Sequence, residues 1–163
     1  MGEITKLNLC LQELNGLELG TFLYRKLLQK KVYFLQELGL DLGYSYGFYI
    51  YGPYSSELAD NAFFLLRLRN NAPANIEAVE LTQAERKILD RAIAFFGEIS
   101  GDDSEVASML EIMSSLHFLW TFSYSKSKSK EEIFAKIKEK KRWVTDPCLE
   151  SGWVLLTKYG LVA

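Results

Sequence analysis

The side chains able to do chemistry are few and widely spaced. His117 is the only histidine, so Ser-His-Asp, Cys-His and multi-histidine metal sites can be assembled only around that one residue. Cys10, His117 and Cys148 are the soft metal ligands, and none stands at the short spacing of a zinc motif. We therefore expect no metal, and a His117 that is packed or hydrogen-bonded on an apolar helix. Asp102, Asp103 and Glu105 form an acidic cluster. At a helix start such carboxylates cap free amides and favour the macrodipole, which accounts for them without an acid-base role. There is no phosphate loop and no Gly-x-Gly-x-x-Gly, since the glycines from Gly16 to Gly20 and from Gly39 to Gly43 are separated by large apolar residues. The expectation is a chain with no catalytic residue and no cofactor.

What remains is surface chemistry. Residues 126–142 carry eight basic and three acidic side chains, a local charge of +5 that leaves −7 on the rest of a chain whose net charge is −2. Such a stretch reads either as an anion-binding surface or as a solvated helix face with its cations near the C-terminus, where the helix dipole favours them. Lys138, Lys141 and Arg142 from this stretch, with Arg25, Lys26, Lys30 and Lys31, are the candidate contacts for a nucleic acid or an acidic partner. The aromatic run Tyr44, Tyr46, Phe48, Tyr49, Tyr51 and Tyr54 is the less ordinary feature. Six such rings amount to roughly 1,000 Å², more than a monomer leaves exposed in one patch, so they must face a core or a partner. Alternation puts Tyr44, Tyr46, Phe48 and Ile50 on one face of a strand over Gly43 to Pro53, with Tyr49 and Tyr51 on the other. Tyr49, Tyr51, Gly52, Pro53 and Tyr54 are the candidate partner-binding residues.

Several elements must position these residues. A helix over Lys6 to Leu14, stopped at Asn15-Gly16, places Cys10 on an apolar stripe as a small hydrophobe. Thr21 caps a longer helix with Leu23, Leu27, Leu28, Val32, Leu35 and Leu38 inward, Gly39 at its end, and a polar face carrying Arg25, Lys26, Gln29, Lys30 and Gln36. Gly52-Pro53 breaks the strand, and Ser55 or Ser56 caps a helix running toward Arg69, followed by a loop at Asn70 to Pro73. Thr82 and Glu85 have capping-box spacing, as do Ser129 and Glu132. The first pair opens a helix with Ile88, Leu89, Ala92, Ile93 and Phe96 inward, and the second opens the lysine-rich helix. Between them Val106 to Phe122 is helical, and Asp146-Pro147 is placed as N-cap and first residue of a last helix ending near Tyr159-Gly160.

With 163 residues, 48% of them hydrophobic and 25% charged, the chain fits one folded domain, 1–163, of mainly α (α+β) class with a small β-hairpin or strand. A pI near 5.5 shows no global footprint for nucleic acid. No apolar run reaches the ~20 residues of a membrane span, and the first residues, Met-Gly-Glu-Ile-Thr-Lys, do not read as a secretion signal. The cytoplasm is the expected compartment, with Cys10 and Cys148 as reduced thiols.

The stretch from Lys26 to Tyr44 (Lys-Leu-Leu-Gln-Lys-Lys-Val-Tyr-Phe-Leu-Gln-Glu-Leu-Gly-Leu-Asp-Leu-Gly-Tyr) is followed by Tyr49-Ile-Tyr-Gly-Pro-Tyr-Ser-Ser-Glu-Leu-Ala-Asp60. Over residues 20–62 it resembles the YwgA-like proteins, which are similar to the Panacea or SocA-like antitoxin group. That resemblance implies no enzymatic activity, and a partner that is another protein, such as a toxin or a protease system. The element order, taken as helix, helix, long helix, then hairpin, is also similar to a winged helix-turn-helix, which makes the N-terminal part winged-helix-like and a nucleic-acid-binding regulator the alternative. A wing from Tyr44 to Tyr54 without lysine or arginine departs from that pattern.

Overall fold

Helix α2, Phe22–Glu37, runs through the middle of the molecule. Its Val32, Tyr33, Phe34 and Leu35 have no exposed surface at all, and four successive residues of a helix cover its whole circumference. The fold is known from a computed structural model that describes residues 4–14, 17–122 and 129–163. Within these residues the order is α1 (Ile4–Glu13), α2, β1 (Gly47–Tyr49), β2 (Gly52–Tyr54), α3 (Ser56–Asn71), a 3-10 turn (Pro73–Asn75), α4 (Gln83–Gly97), α5 (Asp103–Phe122), α6 (Lys130–Lys140) and α7 (Asp146–Lys158). The protein is mainly helical with one small antiparallel sheet.

Because the middle of α2 is wrapped on every side, it has an apolar core on two flanks. On one, Tyr33 and Phe34 gather with Phe95 of α4, Leu110 and Leu116 of α5, and Ile137 and Leu156 of α6 and α7. On the other, Val32 and Leu35 gather with Leu7 and Cys10 of α1, Leu40, Leu42 and Tyr44 of the following segment, and Leu65 of α3.

Local chemistry sets the ends of the helices. Thr21, Ser55 and Ser129 each accept a hydrogen bond from the amide three residues on. Thr82 and Glu85 make both bonds of a capping box at 3.1 and 3.0 Å. Asp102 and Glu105 form a second reciprocal pair at the start of α5, at 2.9 and 3.2 Å, the structural use their spacing suggested. After α2, Gly39 takes a φ of +120° that a side chain resists.

Four expectations are corrected. Residues 43–53 are not one strand: β1 turns at Ile50-Tyr51 and β2 returns with Tyr49 opposite Gly52 and Phe48 opposite Pro53, so Gly52-Pro53 lies within the sheet. Pro53 fits there because a two-stranded sheet is all edge. The N-cap of α7 is Thr145, which accepts from Cys148 N, and Asp146-Pro147 occupy its first two positions. Asn70 and Asn71 belong to α3. Only two helices, α1 and α2, precede the hairpin among the described residues. The expected stop at Asn15-Gly16, and Lys126 and Lys128 of the basic stretch, lie outside the described residues.

Candidate functional site

The polar face of α2 is not a solvent face; the hairpin lies on it. Gln36 donates through Nε2 to Tyr44 O at 3.0 Å and accepts at Oε1 from Tyr44 N at 2.8 Å. Two turns earlier, Gln29 makes the same exchange with Ser55, both bonds at 2.9 Å. Each carboxamide takes the place of a neighbouring strand, satisfying one residue's N–H and C=O together. Lys30, between them, donates to Pro53 O at 2.7 Å. The whole segment from Tyr44 to Ser55 is thus fastened to one helix by side chains seven residues apart.

Beneath the hairpin sits a buried charge cluster. Glu111 of α5 accepts from Lys141 Nζ at Oε2, 2.6 Å away, while its Oε1 forms an ion pair with Lys26. Lys141 also donates to Ile50 O at 2.9 Å, which ties the end of α6 to the hairpin turn. Burial alone would push the Glu111 carboxyl up, but hydrogen bonds from Lys141 and Lys26 outweigh it and hold the pKa below the ordinary value. Burial pulls the Lys30 ammonium down to about 7; Lys141 and Lys26 add to the fall and Glu111 opposes it. Gly52, at a φ of +91°, lies directly over this cluster. A β-carbon there would stand 2.6 Å from the Ser115 hydroxyl oxygen and 3.4 Å from Lys30 Nζ.

Beside the clamp, α2, α3 and the hairpin enclose an open groove of about 500 Å³. Phe22, Tyr49, Tyr51, Tyr54 and Phe63 line it, and all five are exposed, from 39% for Tyr54 to 58% for Tyr49. Phe22 and Tyr51 meet edge to face at 4.9 Å, as do Tyr49 and Tyr54 at 5.8 Å. Ile50, at the hairpin tip, is 84% exposed because the chain turns there, so it leaves the face that alternation assigned to it. The inward face otherwise holds: Tyr44 is buried, Tyr46 is half-buried with its hydroxyl on Gln29 O, and Phe48 lies half-buried against Phe118. Of the five candidate partner-binding residues, the three tyrosines reach the surface, while Gly52 and Pro53 are buried and shape the backbone beneath them.

The seven candidate cations do not come together. Lys30 and Lys141 are interior, and Lys26 is mostly covered and paired with Glu111. Arg25 donates to Leu19 O at 2.9 Å, Lys31 stands over the Phe96 ring, and Lys138 pairs with Asp146 at 2.8 Å. Arg142 is exposed near the end of α6. The middle turns of α2, surrounded by protein, offer no face to a nucleic-acid groove.

The chain matches no protein-family model, no curated protein and no solved structure.

His117 is buried on α5, with Nδ1 2.6 Å from the Tyr33 hydroxyl and Nε2 3.1 Å from the Thr121 hydroxyl. Burial lowers its pKa to about 4, so the imidazole is neutral at physiological pH. Cys10 is buried in the core, where loss of solvent raises its thiol to about 11. Among the described residues no three His, Cys, Asp or Glu side chains are grouped to hold a metal ion, and no helix is long and apolar enough to cross a membrane.

Reading the sequence missed Glu111, Gln29, Gln36, and the groove walls Phe22 and Phe63. Glu111 carried a usable signal: it is one carboxylate inside Met109-Leu-Glu-Ile-Met113, and a charge in such a run needs a buried partner. The partners were not legible, because Lys26 and Lys141 are separated from it by 85 and 30 positions.

Proposed function

We propose that this protein is a non-enzymatic protein-interaction module of antitoxin or adaptor type, working in the cytoplasm and docking a partner protein on the aromatic groove. The observation that carries this reading is five exposed aromatic rings around one groove, three of them on a hairpin clamped to the central helix, with Phe22 on α2 and Phe63 on α3. An apolar surface of that kind is costly in water and is characteristic of a site that is covered in use. Large rings held rigidly lose little conformational entropy on binding, which makes Tyr49 and Tyr51 suited to be hot spots. The resemblance of residues 20–62 to YwgA-like and antitoxin-group proteins points the same way. The locked, neutral His117 and the inert Cys10 supply no activated nucleophile or base.

The nucleic-acid alternative has less support, since Lys30 and Lys141 of its candidate contacts are interior and Lys26 is paired. The test uses matched baits, wild type and Tyr49→Ala/Tyr51→Ala, in affinity capture from the native host, followed by titration of the purified partner. The double variant should unfold at the wild-type temperature and lose about 2 kcal/mol or more of affinity. Tyr44→Ala, with a buried ring, should lower the melting temperature instead. Unchanged affinity in the double variant would discard the groove as the docking site.

A further inference from the structure

Within that docking reading, on which this inference rests, the charge lining the groove specifies the partner's chemistry. The groove residues include Arg25, Lys26 and the interior Lys30, whose ammonium burial pulls down to about 7, and no aspartate or glutamate. Glu111 lies behind the floor with its carboxylate oxygens turned to Lys26 and Lys141, so one negative charge is shared by two positive ones and Arg25 adds a third. The excess is focused, because apolar walls keep the local dielectric low. Lys26 Nζ lies 5.5 Å from the centroid of the Tyr51 ring, which places positive charge against the same wall that offers apolar area.

We infer that the groove takes a segment of a partner protein in which a large apolar side chain stands next to a carboxylate. The apolar side chain lies between Phe22, Tyr51 and Phe63, and the carboxylate faces Arg25 at the α2 wall, next to Lys26, which Glu111 already holds. A protein segment fits better than a small amphiphile because the groove is open and its apolar rim is itself exposed: Ile50 of the hairpin tip, 84% exposed, and the five rings line it together, a surface that a partner's own surface covers. An acidic partner also explains why a protein with so many surface carboxylates presents none here: like charges opposite one another would oppose docking.

The experiment is selection from a random-peptide display library on the full-length chain, with Tyr49→Ala/Tyr51→Ala protein as counter-selection. Synthetic peptides from the enriched pool then serve as probes in fluorescence anisotropy. The expected peptides carry aspartate or glutamate beside leucine, phenylalanine or tryptophan. Converting that acid to its amide should weaken binding about tenfold, the scale of a lost charge-assisted hydrogen bond. Arg25→Glu should reject these peptides and accept versions in which lysine replaces the acid, a rescue that a merely misfolded variant cannot give. Groove-dependent peptides lacking an acid would overturn the charge assignment and leave the docking reading standing. Absence of any groove-dependent peptide would overturn both. A dimer in sedimentation that dissociates in Tyr49→Ala/Tyr51→Ala protein, or tighter binding of dodecanoate than of any selected peptide, would show a different occupant and equally end the inference.

Discussion

Glu111 Oε2 accepts a hydrogen bond from Lys141 Nζ at 2.6 Å, with 2% and 4% of the two side chains exposed, and the bond joins α5 to the end of α6 under the hairpin. With Lys26 on the other oxygen, Glu111 holds two covered ammonium groups. Glu111→Gln should therefore cost about 3–5 kcal/mol in urea unfolding, the usual consequence of leaving a buried charge without its partner. Adding Lys141→Met should restore much of the loss, since it removes the more deeply buried of the two cations. A single variant within about 0.5 kcal/mol of wild type would show that water reaches the cluster.

Gln29→Leu removes the carboxamide that pairs both backbone groups of Ser55. Each buried group left without a partner costs about 1–3 kcal/mol. The loss should be local. In hydrogen exchange the Ser55 amide should lose protection while the core amides of α7 keep theirs, and retained protection at Ser55 would refute the clamp.

Gly52→Ala should destabilise by about 1–3 kcal/mol through two separable causes, a positive φ and a contact 2.6 Å from the Ser115 hydroxyl oxygen. Ser115→Ala deletes the contacted atom and leaves the φ. In a double-mutant cycle the Gly52→Ala penalty should shrink in the Ser115→Ala background without vanishing. An additive cycle would assign the whole penalty to backbone strain.

The pH dependence has a definite sign. An unfolded histidine takes up a proton near 6.5, whereas native His117 resists until about 4, so the unfolded state binds more protons between these values and stability falls as pH drops through them. The loss from this group amounts to up to about 3 kcal/mol. Lys30 acts in a higher window: its folded value near 7 lies below the ordinary 10.5, so stability rises with pH from 7 toward 10.5. His117→Gln should flatten the acid slope and Lys30→Met the alkaline rise. Curves parallel to wild type across both windows would contradict both assignments.

The local plan of this molecule was written in short stretches of sequence. Thr21, the Ser55-Ser56 pair, the Thr82–Glu85 box and the Asp102–Glu105 pair announced their helix starts because a cap needs only residues three positions apart, and the fold chose Ser55 over Ser56. Alternation placed Tyr44 inward and Tyr49 outward for the same reason, since neighbouring side chains on extended backbone point to opposite sides, whereas Tyr51 is exposed because it lies in the hairpin turn. The tyrosines of the candidate site were therefore legible, while Phe22 and Phe63, on two different helices, joined them only in the fold.

The buried half of the site was decided by tertiary structure alone. Periodicity marked Gln29, Lys30 and Gln36 as a polar face and so as a solvent face, but polarity records only that a group needs hydrogen-bond partners. Those partners turned out to be backbone groups of the hairpin, which arrived when the chain turned at Ile50-Tyr51 and folded back over α2. In the same way Lys26 and Lys141 belong to no common pattern in the sequence. They became one site only where α5 brought Glu111 between them, because the cost of burying a charge is met by whichever opposite charge the fold places within reach, at any distance along the chain.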